Sequence, residues 1–345
     1  MTLERSGPPA GASEVVQARS VLSPLRYPGG KRRLVPYIAA ALEANALKPD
    51  LFIEPFAGGA SVSLELLATG RVRRVALVER DPYLASFWQT VFFDSDWLCQ
   101  RIAEIDVSVN MWERMRAAKS RARRNQALAC LFLNRTSFNG TLHRRAGAIG
   151  GRAQAGLYTI DCRFPRERLI RRIRACAELA GRVAFVRHGS AFEALADVPR
   201  ERADESVFFY LDPPFWAKSE RLYRCCFSAG DHARLADVLR DLAEPYLLSY
   251  DPAPQVRALY ETHPGATLGR VELLYTATQR AAEEELVITN LQEMPGDTRL
   301  WRTHSEWARL RRRRCSPPAS ELEFSVPSMN ADEVIATNAT IQVAT

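Results

Sequence analysis

Short apolar runs alternate with segments of helical spacing along this chain. DLFIEPF (Asp50 to Phe56) and VALVER (Val75 to Arg80) read as buried strands, separated by a glycine loop and the helical stretch SVSLELLATG. After a long middle region the strand signal returns at VAFVRH (Val183 to His188), VFFYLDPPF (Val207 to Phe215) and PYLLSYD (Pro245 to Asp251). Two late segments, ATLGRVELLYT and EELVITN, alternate as an antiparallel hairpin that closes a sheet. Strand, loop, helix, strand is the grammar of an open α/β sheet, mostly parallel.

The middle breaks this rhythm. Residues 95–180 carry helical periodicity and many arginines, with a glycine-rich loop near Gly147 to Gly156. Residues 1–20 hold Gly, Pro, Ser and Ala without periodicity and are expected to be disordered. The pattern fades again near Met294. The expected organisation is therefore an α/β domain from 21–94 and 181–294, an inserted, mainly helical region at 95–180, and a basic, disordered tail at 295–345.

Composition narrows the class. The chain has 345 residues and a net charge of +7, which suits a polyanionic partner. Lysine occurs only at Lys31, Lys48, Lys119 and Lys218, so a lysine inside a motif is conspicuous. The seven cysteines form no C-x-x-C pair and have no histidine cluster beside them, which points to reduced thiols and no metal site. Neither a membrane span nor a secretory leader is legible, and a cytoplasmic protein is expected.

The chemistry concentrates in a few places. Asp212-Pro213-Pro214-Phe215 ends a buried strand, at the sheet edge where open α/β folds bind ligands. A carboxylate and a fixed carbonyl can accept both N–H bonds of an exocyclic aromatic amine and aim its lone pair. Two prolines stiffen the turn, and the ring of Phe215 can stack on a base. In the loop from Glu54 to Ser61, Pro55, Phe56, Gly58 and Gly59 are candidate cofactor contacts ahead of a helix N-terminus. Glu79 ends the second strand and can accept both hydroxyls of a ribose, with Asp81 as the competing acid. The loop Arg26-Tyr27-Pro28-Gly29-Gly30-Lys31 offers Tyr27 to pack on a ligand and Lys31 to pair with an amino-acid carboxylate. In the middle region Asn134, Arg135, Asn139, Arg144, Arg145 and Arg163 are candidates for DNA contact. For the arginines on the helical runs a solvated face serves equally well.

Together these pieces resemble the adenine-specific DNA methyltransferase family of the Dam type, from Pro24 to about Asn290. RYPGGK is similar to that family's N-terminal cofactor motif, EPFAGGASV to its glycine motif and LVERDP to its ribose-binding segment. NRTSFNG, GAIGG and IDCRF resemble its DNA-contacting middle. DPPF is similar to its catalytic tetrapeptide, with Phe where Tyr is commoner. The resemblance implies a Rossmann-like methyltransferase sheet with an inserted, mainly helical DNA-recognition region. It implies S-adenosylmethionine as cofactor and transfer of its methyl group to the 6-amino group of a flipped adenine in double-stranded DNA. Tyr27, Lys31, Glu79 and Asp212 would contact the cofactor, and Asp212 would also face the amine. A monomer is expected, with room for a cognate restriction endonuclease. The chain departs from the pattern at Ser190, where such enzymes often carry an acid. Methyl transfer to cytosine, RNA or protein amines, a nicotinamide dehydrogenase and a non-catalytic DNA-binding protein are the rival readings. A dehydrogenase would lack its G-x-G-x-x-G fingerprint and leave DPPF without a role.

Overall fold

β1 (Leu51–Glu54), β2 (Val75–Glu79), β4 (Val207–Leu211) and β5 (Tyr246–Tyr250) are buried along their whole length, as central parallel strands covered on both faces must be. With β3 (Val183–His188), β6 (Thr267–Tyr275) and β7 (Ala281–Thr289) they form a seven-stranded sheet in the order β3-β2-β1-β4-β5-β7-β6. The first five strands run parallel, while β7 is antiparallel to β5 and to β6. The Rossmann-like sheet with an antiparallel terminal hairpin expected from the sequence is present, and β7 lies inside the sheet rather than at its rim. These statements come from a computed structural model, which describes residues 23–27, 29–143, 146–216, 224–275 and 281–296.

The strand residues alternate between two cores. Phe52, Phe208 and Tyr210 belong to one cluster, and Leu51, Ile53, Val207, Phe209 and Leu211 to the other. Helices α1 (Val35–Ala44), α2 (Ser61–Ala68) and α3 (Pro82–Phe93) cover the first face, with the rings of Phe52 and Phe208 stacked 5.6 Å apart beneath them. α8 (Ala191–Glu201), α9 (Ala229–Arg240) and α10 (Pro254–Tyr260) cover the second.

The middle region is helical: α4 (Ser95–Glu104), α5 (Val109–Ala117), α6 (Arg123–Thr136) and α7 (Arg166–Ala177). It has no separate core. Leu131 and Phe132 of α6 join the same cluster as Phe87 and Trp88 of α3, and Ser86 donates to Gln126 across the two helices at 2.7 Å. The expected disordered N-terminus at 1–20 and all of the expected tail beyond Gly296 lie outside the described residues.

The topology sets the site. From β1 the chain steps outward to β2 and β3, then returns to β4 on the other side of β1. The connections after β1 and β4 therefore diverge and leave a crevice at the carboxyl ends of the strands.

Candidate active site

Three acids end the three strands at that crevice. Glu54 is the last residue of β1, Glu79 the last of β2, and Asp212 follows β4 directly. All three line one cleft with Tyr27, Lys31, Pro55, Phe56, Gly58, Gly59 and Pro214, and its empty volume, measured out to open solvent, is 1020 Å³.

The glycine loop brings backbone close to this space. Gly58 and Ala60 have φ of 45° and 47°, and the loop is pinned by Trp88, whose indole N–H donates to the carbonyl of Gly58 at 2.8 Å. A Cβ on Gly58 would lie 2.7 Å from the Tyr27 ring, and one on Gly59 would lie 2.7 Å from Tyr27 Cβ. Tyr27 thus packs flat on two residues that have no side chain to oppose it. Gly58→Ala should lower the melting temperature, since it adds a left-handed-φ penalty of roughly 1–2 kcal/mol and displaces the ring. An unchanged melting temperature would contradict this packing.

Glu79 is fixed by backbone donors. Its Oε2 accepts from Gly58 N at 2.8 Å and its Oε1 from Asp81 N at 2.9 Å. Burial nevertheless pushes its pKa up to about 7, helped by the charge of Asp81. The backbone N–H of Arg80 is a third donor to this carboxylate, which still leaves it capacity for a further one. Asp81, the competing acid, is used otherwise: it caps α3 through Tyr83 N at 2.9 Å and pairs with Arg224 at 3.5 Å. Glu54 accepts from the hydroxyl and N–H of Ser63 at 2.5 and 3.2 Å. Burial raises it to about 8 against these bonds, with Asp212 and Glu79 adding repulsion.

Asp212 sits between donors. Ser249 Oγ donates to its Oδ1 at 3.1 Å, and Lys31 Nζ is 3.2 Å from the same oxygen. Burial raises its pKa, and Lys31 and Ser249 oppose the rise. Lys31 was expected to meet a ligand carboxylate. Here its buried ammonium lies against Asp212, against Glu285 Oε1 at 3.4 Å, and 4.8 Å from the centroid of the Phe215 ring. Pro213 is buried and Pro214 half-buried in the cleft wall. The turn after Phe215 is held by Trp216 N donating to Asp251 at 3.1 Å, with the indole 4.6 Å from the His232 ring.

The far wall is aromatic and apolar. Phe56 and Phe192 both pack on Phe227, at 5.5 and 5.8 Å between centroids. Ser190 lines the cleft, and its side chain caps α8 by accepting from Phe192 N at 3.2 Å, with Glu193 completing the box at 3.0 Å. The residue that replaces the expected acid therefore has a local structural role.

The residues expected to meet DNA divide. Asn134 is buried and clasps the backbone of Arg26 from both sides, its Oδ1 accepting from Arg26 N at 2.8 Å and its Nδ2 donating to Arg26 O at 3.0 Å. Its amide also donates to Gly140 O at 2.6 Å, so it ties the loop at 26–31 to the loop at 137–140. Asn139 is exposed at a φ of 55°, beside Phe138, and Arg163 is exposed. Arg144 and Arg145 lie outside the described residues. Arg135 is only 4% exposed, and among the described residues its Nε and Nη2 have no hydrogen-bond acceptor; nor does Nη1 of Arg26. Burial, then Arg172, Arg26, Arg168 and Arg163, lower the Arg135 pKa to about 9. Four other guanidinium groups thus bear on buried donors that have no acceptor among the described residues.

Sequence reasoning did not single out Glu54, Ser249 or Glu285. Glu54 could have been found, because it ends β1 beside the glycine loop; Ser249 lies inside β5, where only its pairing beside β4 brings it to Asp212. Glu285 sits in EEELVITN, where three consecutive glutamates are indistinguishable without the register of β7. Among the described residues no group of three or more His, Cys, Asp or Glu could hold a metal ion. None of their helices is long and apolar enough to cross a membrane.

The sequence model of the D12 class N6 adenine-specific DNA methyltransferases matches residues 27–280. No curated protein matches the chain. Among solved structures, it is similar to a candidate RNA methyltransferase, PH1948, of Pyrococcus horikoshii, at 12% identity over 77% of this chain and 83% of that one, with a TM-score of 0.34. It is also similar to precorrin-6y C5,15-methyltransferase of Geobacter metallireducens, at 14% identity over 73% of this chain and 85% of that one, with a TM-score of 0.29.

Proposed function

The chain belongs to the D12 class N6 adenine-specific DNA methyltransferase family, and from that premise we propose that it transfers a methyl group from S-adenosylmethionine to the 6-amino group of an adenine flipped out of duplex DNA. The observation that carries this reading is the convergence of Asp212, Glu79 and the glycine loop on one cleft, with Lys31 and Ser249 holding Asp212. The cleft suits the cofactor by its chemistry. Glycines allow close approach, Glu79 offers acceptors for ribose hydroxyls, Phe56 and Phe227 offer an apolar wall for a purine, and the acids favour a cation.

When bound, the cofactor supplies an electrophilic methyl on a sulfonium. The chain's own residues do the rest. Ser249 and Lys31 both engage Asp212 Oδ1, so Oδ2 is the oxygen left, among the described residues, for an N–H of the target amine. The carbonyl of Pro213 accepts the second N–H. An amine held this way presents its lone pair to the methyl and gives up its proton afterwards, with Asp212 nearest. Phe215 stacks on the extruded base, whose removal from the duplex costs a few kcal/mol. The arginines around Arg135 take backbone phosphate, and exposed Arg163 and Asn139 face the duplex. The enzyme would act as a cytoplasmic monomer, with room for a companion restriction endonuclease. Incubation with tritiated S-adenosylmethionine and DNA, RNA or protein tests the substrate class; label in RNA or protein with none in DNA would refute it.

Cofactor affinity should depend on pH through Glu79. The ionised carboxylate accepts ribose hydroxyls, and the protonated one loses an acceptor. With a pKa of about 7, affinity should reach a plateau above pH 8 and fall by about tenfold at pH 6. Glu79→Gln should flatten the titration at the weaker level. A wild-type profile that is flat in calorimetry from pH 6 to pH 8.5 would remove Glu79 from the ribose site.

A further inference from the structure

We propose that Glu285 is a positioning residue for methyl transfer: it clamps Lys31 onto Asp212 and so keeps the acceptor carboxylate ionised and aimed. The inference rests on the reading of Asp212 as the group that holds the target amine. Glu285 lies on β7 opposite Val271 of β6, two strands away from the DPPF turn, and is 3% exposed. Lys31 links it to Asp212, through contacts of 3.4 and 3.2 Å.

The geometry gives the clamp its purpose. An ammonium on four flexible methylenes has three donors and many rotamers. Here Gly29 O at 3.2 Å, Asp212 Oδ1 and Glu285 Oε1 surround it, so its direction is fixed from three sides. The same ammonium lies 4.8 Å from the centroid of Phe215, so its position bears on both the acid and the ring of the tetrapeptide. Without the second carboxylate, Lys31 can leave Asp212. A half-buried Asp212 that loses its cation shifts toward the protonated form, which donates where the target amine needs an acceptor.

The test is a double-mutant cycle on the full chain: wild type, Glu285→Gln, Lys31→Met and the double variant. Methylation of a duplex substrate gives kcat and both KM values, calorimetry gives cofactor affinity, and thermal denaturation follows the fold. Glu285→Gln should lower kcat by about tenfold or more while KM for DNA and cofactor affinity stay within about twofold. In the Lys31→Met background the same change should have little further effect, because its route to Asp212 is gone. Glu285→Asp, which keeps the charge but withdraws it by one methylene, should fall between wild type and Glu285→Gln; it also serves if the glutamine variant does not fold. Unchanged kcat in these variants, or an equal fractional loss in both backgrounds, would overturn the clamp and leave the reading of Asp212 intact. A wild type that does not methylate adenine would overturn both.

Discussion

Asp212→Ala is expected to reduce the rate of methyl transfer by about a thousandfold while duplex binding stays close to that of the wild type. The size of the effect follows from the substrate. The lone pair of an aromatic amine is delocalised into its ring, so the nitrogen attacks only when acceptors hold both N–H bonds out of that conjugation. Asp212 is the charged acceptor, and Ser249 and Lys31 hold it from behind at 3.1 and 3.2 Å. The alanine variant loses the acceptor and leaves Lys31 against Glu285 alone among these two acids. The arginines proposed to take phosphate are not among the residues that hold Asp212, so affinity for duplex should persist. Single-turnover transfer measured beside a binding titration separates the two; a loss smaller than tenfold would show that Asp212 does not hold the amine. Phe215→Tyr should keep most of the activity, since both rings stack.

Arg135→Met is expected to weaken duplex binding by tenfold or more and, at the same time, to raise the melting temperature. The guanidinium is buried among Arg26, Arg163, Arg168 and Arg172 with two nitrogens lacking acceptors, an arrangement that costs free energy in the absence of an anion. A DNA phosphate seated on the exposed Arg163 and Arg168 would offset the buried charge, and losing Arg135 from behind them weakens that contact. Methionine fills similar volume, needs no acceptor and relieves repulsion. The slope of log affinity against log salt should become shallower by about 0.9 for the lost phosphate contact. Thermal denaturation and a salt titration check the two effects together. A variant that melts lower and binds duplex as tightly as the wild type would show that the cluster serves the fold alone.

Much of the architecture was legible because parallel central strands are continuous apolar runs and because loops with Gly and Pro punctuate them. DLFIEPF, VALVER and VFFYLDPPF each became a strand that ends in an acid at the crevice. Other features depend on contacts distant in sequence, which no local pattern carries. Asn134 reads as a base-contacting residue by type, yet it is buried in the last turn of α6, where the backbone of Arg26 and Gly140 uses its amide. Lys31 reads as a partner for a ligand, yet it meets Glu285, 254 positions later in the chain, because β7 inserts between β5 and β6. The dependence of the middle region on the rest of the fold was also invisible: α6 shares its apolar face with α3, so residues 95–180 and the sheet bury one cluster together.

The most direct measurement is mass spectrometry of nucleosides from duplex DNA digested after reaction with the purified protein and S-adenosylmethionine, run beside the Asp212→Ala variant. The account predicts N6-methyladenine from the wild type and at most a trace from the variant. Methyl on cytosine with none on adenine, or equal N6-methyladenine from both proteins, would contradict it.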